Sequence, residues 1–68
     1  MSEIVFRVEG APEGGYTARA LGEPIFIEAD DLAPLHAAVQ QAVQCHFDDG
    51  TAPRVIRLHI VRDEVIAA

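Results

Sequence analysis

The sequence has no lysine and no tryptophan, one cysteine, and no apolar run near the roughly 20 residues of a membrane span. Each absence excludes something. Without lysine the five bases are all arginine, and against eleven acids they leave a net charge of −6. Nonspecific binding to DNA or RNA needs a basic surface to neutralise phosphate, so no direct nucleic-acid contact is expected. A basic protein partner suits the charge better. The lone Cys45 closes no internal disulfide, which points to a reducing compartment, the cytoplasm. Met1 to Glu9 mixes acids with apolar residues and lacks the basic start and apolar centre of a signal peptide.

What is present is a folding composition. Half of the 68 residues are apolar and 24% are charged, which suits one small domain over 1–68. Such a chain has room for one thin core, so a lone copy is marginal and a homodimer or tetramer is expected. It is too short for a flavin, thiamine or dinucleotide cradle, and no cofactor is expected.

Periodicity organises the chain as β-β-β-α-β. Ile4, Phe6 and Val8 alternate with Val5, Arg7 and Glu9, the pattern of a half-buried strand. Gly10 to Gly15 reads as a wide hairpin loop, and Tyr16 to Leu21 alternates again. Ile25 to Glu28 forms a short third strand. Asp31 is placed to cap a helix, with Pro34 at its third position, where a missing N–H costs no intrahelical bond. Leu32, Leu35, Val39, Val43 and His46 make a stripe of about four turns, ending near Phe47 with Gly50 beyond. Val55 to Val61 is the fourth strand. The fold class is α+β, a sheet with one helix packed on one face.

That packing covers Ile4, Phe6, Val8, Tyr16, Ala18, Ala20, Ile25, Ile27, Ile56, Leu58 and Ile60. The other face then carries Val5, Leu21, Phe26, Val55 and Val61 around Arg7, Arg19, Arg57 and His59, more apolar surface than a solvated sheet needs. The far side of the helix, from Ala33 through Ala37, Gln40, Gln41 and Gln44 to Cys45, holds no charge. Both features point to contacts with other chains. The candidate interaction face is Val5, Arg7, Arg19, Phe26, Arg57, His59 and Val61. Its arginines either recognise an acidic segment or pair with Glu3, Glu9 and Glu28, or with the acids of a second copy.

No constellation points to catalysis or metal binding. His36, Cys45 and His46 lack the spacing of a zinc site, since residues 45 and 46 of a helix point about 100° apart. The histidines read as packed or rim residues, and Cys45 as a buried or interfacial thiol. Asp48 and Asp49 sit in a terminating turn, where aspartate is favoured for conformational reasons. The glycine-rich loop lacks the lysine and the strand-to-helix setting of a phosphate loop. The chain is expected not to be an enzyme.

From its second strand onward the chain resembles the N-terminal domain of the HicB antitoxin family. The resemblance rests on EGGYTARALG at Glu13 to Gly22, IFIEADDL at Ile25 to Leu32, and the closing strand VIRLHIV at Val55 to Val61. Asp30 and Asp31 stand where the family's glycine-aspartate-threonine helix entry ends, and Ala29 replaces the glycine. The resemblance implies a truncated RNase H-like mixed sheet of order 3-2-1-4, with strand four parallel to strand one. It further implies a stand-alone antitoxin that masks a small mRNA-cleaving toxin. The family's usual C-terminal DNA-binding domain is not expected within these 68 residues. RNase H chemistry needs acids around two metals at the sheet centre. Here the centre of the first strand is Val5, Phe6 and Arg7. The other reading is an orphan homo-oligomeric adaptor or small-ligand module.

Overall fold

A computed structural model describes residues 2–48 and 50–68, so Asp49 of the expected turn lies outside the described residues. The elements run β1 (Glu3–Gly10), β2 (Tyr16–Ala20), β3 (Phe26–Ala29), α1 (Leu32–His46) and β4 (Val55–Val61). They form one four-stranded mixed sheet of order β3-β2-β1-β4. β1 pairs antiparallel with β2 and parallel with β4, so Phe6 stands opposite Ala20 on one side and Leu58 on the other. This is the expected α+β architecture, strand order included.

Alternation in the strands sends one apolar set inward. Ile4, Phe6 and Val8 of β1 meet Ala18 and Ala20 of β2, with Ile25, and Leu35, Val39 and Val43 of α1 close over them. Phe6, Val8, Ala18 and Leu35 are fully buried. The small Ala18 and Ala20 let the helix approach β2, and α1 lies over β2 and β3 rather than over the middle of the sheet. That offset has a consequence. Ile60, expected under the helix, remains 47% exposed, because β4 is the strand farthest from α1.

Other expectations shift at element ends. β3 starts at Phe26, not Ile25. Ile25 closes the preceding turn, donating its N–H to the Glu23 carbonyl at 2.9 Å while its own carbonyl accepts from Ala20 at 3.0 Å. β2 ends at Ala20, although the Leu21 N–H still bonds the Val5 carbonyl at 2.9 Å. Asp31 occupies the N-cap with extended backbone, yet its side chain makes no capping bond. Its carbonyl accepts from Leu35 at 3.1 Å. His46 is exposed and outside the buried stripe. The helix stops at Phe47 as expected, and the Thr51 N–H and hydroxyl both reach the Asp48 carbonyl, at 3.0 and 2.8 Å.

One glycine in the β1–β2 loop is required by both conformation and space. Gly15 has φ of +83°, and a Cβ there would stand 2.9 Å from the Ala29 carbonyl oxygen. The loop is thereby pressed against the end of β3, next to the entry to α1.

Candidate functional site

Strand register assembles the open face. Phe26, Arg19, Arg7 and His59 stand side by side across all four strands and form one transverse row. In the row beside it Val5 pairs with Arg57, and Leu21 hydrogen-bonds Val5. On the other side lies Glu28, Thr17, Glu9 and Val61. The seven candidate residues thus share one surface, on the side of the sheet away from α1. Cationic groups occupy its centre and acids its margins.

Arg7 and Arg19 are direct cross-strand neighbours, a like-charge pairing that is unfavourable by itself. Each finds other company. Arg7 Nε donates to Glu9 Oε1 at 2.7 Å along its own strand, and the Arg19 guanidinium lies 5.4 Å from the Phe26 ring centroid. The latter is a cation–π contact, worth about 0.5–1 kcal/mol at an exposed site. Arg57 forks onto Glu3, Nε to Oε1 at 2.7 Å and Nη2 to Oε2 at 3.3 Å. That hydrogen bond holds the Glu3 carboxyl below its ordinary pKa and raises that of Arg57. Of the three acids considered as partners, Glu3 and Glu9 pair with arginine. Glu28 is not among the ion pairs of the described residues.

Apolar groups fill the spaces between these charges. Leu21 is 60% exposed, Phe26 52% and Val55 49%, while Val5 and Val61 are half-buried. Exposed apolar side chains beside exposed guanidinium groups favour a protein surface as ligand, since arginine and aromatics are enriched where chains meet.

The other sequence candidates do not converge. Among the described residues no three His, Cys, Asp or Glu side chains come close enough to hold a metal. His46 stands edge-on to Phe47, with ring centroids 5.0 Å apart, and its Nε2 is 3.7 Å from Glu23 Oε1. His36 is exposed on α1. Cys45 is exposed, not buried, because it lies on the side of α1 turned away from the sheet. No described helix is long and apolar enough to cross a membrane. One feature escaped the sequence reading. A groove of about 450 Å³ opens between α1 and β4, with Val39, Ile56 and Leu58 among its lining. The alternation of β4 marks Ile56, Leu58 and Ile60 as inward-facing, but it carries no information on where the helix lies above them.

Over 52 residues the chain is 46% identical to a UPF0150 protein of Archaeoglobus fulgidus, an alignment covering 76% of this chain and 77% of that one. The chain belongs to the UPF0150 family. A UPF0150 protein of Thermotoga maritima is 37% identical over 65 residues, covering 96% of this chain and 91% of the relative. The second alignment takes in nearly all of the domain, so the family likeness extends beyond any one strand or loop. No family model and no solved structure matches the chain.

Proposed function

We propose that this UPF0150 protein is a non-catalytic docking protein of HicB type, an antitoxin that masks a small, basic, mRNA-cleaving toxin. The observation that carries this reading is the uncovered sheet face, where exposed Leu21, Phe26 and Val55 surround an arginine row. The HicB-like segments Glu13 to Gly22 and Ile25 to Leu32 build the two strands that bring Arg19 and Phe26 to this face. A net charge of −6 steers a basic partner and speeds encounter. The acids at the margins of the face offer that partner direct contacts. Glu3 and Glu9 already engage guanidinium groups, which suits recognition rather than proton transfer. The exposed Cys45 thiol suits a reducing cytoplasm, and the charge opposes direct binding of nucleic acid.

A second reading rests on the same rows. Cations in the centre with acids at the margins form a pattern that a second copy can answer with its own acids. The protein is then a homo-oligomeric adaptor, or a module that takes a small ligand between copies. Native mass spectrometry of the protein isolated from its own cells separates the two. A stoichiometric small basic protein, lost in a Phe26→Asp variant, supports the antitoxin, and growth rescue in cells expressing that partner follows. A homo-oligomer with nothing bound overturns it in favour of the adaptor.

A further inference from the structure

Two features among the described residues leave apolar side chains in water within one copy. The first is the α1–β4 groove. Because α1 lies over β2 and β3, the inward side of β4 keeps Ile56 and Leu58 only half-buried and Ile60 47% exposed. On the helical side the exposed His36 and Gln40 flank the buried Val39, and Arg54 also lines the groove. The second is the segment 62–68. It runs on from β4 without a turn or regular structure, and none of its described residues joins a backbone hydrogen bond. It carries Val65 at 94% exposure and Ile66 at 81%. The molecule measures 51 Å along its long axis and 18 Å along the other two, so it is drawn out in one direction.

We infer that residues 62–68 act as an arm that lies in the α1–β4 groove of a second copy, whose own arm returns the contact. Apolar surface left in water by one copy is then removed from it by the other, at both ends of the pair. The lengths agree. Val65 and Ile66 lie four and five residues past Val61, and an extended chain covers that in about 13–17 Å. The lining of the groove on the β4 side, from Leu58 back to Arg54, is also four residues long, about 13 Å.

Symmetry fixes the direction. Two copies related by a two-fold axis exchange arms only if each arm enters at the Ile60 end and runs antiparallel to the β4 it covers. Entry from the Arg54 end leaves a head-to-tail contact that grows into an open chain. A closed pair is the finite solution.

Paired cysteines test this in the full chain. With Cys45→Ser removing the native thiol, Val65→Cys and Leu58→Cys are combined and mildly oxidised. A disulfide-linked dimer on a non-reducing gel is expected. An internally bridged monomer, or no bridge at all, overturns the inference, the former because the arm would then fold back on its own groove. Independently, Val65→Asp with Ile66→Asp is expected to weaken the dimer, by sedimentation, about tenfold or more at unchanged circular dichroism. Phe26→Asp, on the opposite face, leaves this dimer intact. A fully dimeric arm variant overturns the inference even if the cysteine variant fails to fold.

Discussion

The two halves of the helix-facing side of the sheet start from the same kind of sequence and reach different ends. On β1 and β2, alternating apolar residues are sealed by Leu35, Val39 and Val43. On β4 the same alternation places Ile56, Leu58 and Ile60 on the same side, and they stay partly open. The difference lies in lateral position, not hydrophobicity. A helix about 10 Å across covers roughly two strands spaced about 4.8 Å apart, so one helix cannot roof a four-stranded sheet. A lone helix therefore leaves one side of such a sheet to be closed by something else.

Substitutions in the two halves should separate sharply. Phe6→Ala, in the sealed half, removes the largest fully buried side chain and is expected to cost about 3–5 kcal/mol. In a domain of this size that approaches the whole stability, and urea unfolding should show little native baseline. Gly15→Ala tests the seam between the loop and β3. Its positive φ and the 2.9 Å approach to the Ala29 carbonyl predict a loss of about 1–3 kcal/mol. Gly10→Ala, at the end of β1 where nothing lies within 4 Å, serves as its control and should be near neutral. In the open half, Ile60→Ser should lower the unfolding free energy of a dilute sample by less than about 0.5 kcal/mol. A loss as large as that of Phe6→Ala would mean that the groove is closed in solution.

The smallest effect belongs to the charged face. Glu3 titrates below its ordinary value in the folded protein because Arg57 donates to its charged form. Its contribution is therefore complete above the ordinary carboxylate range and is lost as pH falls through the lowered folded value. Arg57, raised by the same bond, stays protonated throughout that window. Thermal melts from neutral pH into the acid range should show a slightly shallower decline for Glu3→Gln than for the native chain. Equal slopes would remove the pair from the pH response. Both groups are exposed, so added salt should shrink the difference.

Which residues face the same way was legible in the sequence. Period two put Arg7, Arg19, Arg57 and His59 on the face away from Phe6, and the spacing of Leu35, Val39 and Val43 gave α1 its buried stripe. Strand order was not legible from periodicity, and came from the HicB resemblance. The lateral offset of α1 was hidden too, because a helical stripe says which side packs and not which strands lie beneath it. Hence Ile60 and the α1–β4 groove went unread. Asp31 has the right residue type for a side-chain cap, but its carbonyl alone takes that role. The clash awaiting a side chain at Gly15 depends on a carbonyl fourteen residues away, beyond the reach of any local pattern.

The parallel pairing of β1 with β4 sets the order of assembly. Glu3 must find Val55, although the two are separated by almost the whole domain. The β1–β2 hairpin and β3 can form from neighbouring sequence, whereas β4 reaches its place only after α1 has been threaded between. On the ribosome, β1 therefore waits with one hydrogen-bonding edge bare until residues 55–61 have emerged. Closure of the sheet follows the emergence of α1 and β4, and its rate is set by that one long-range encounter.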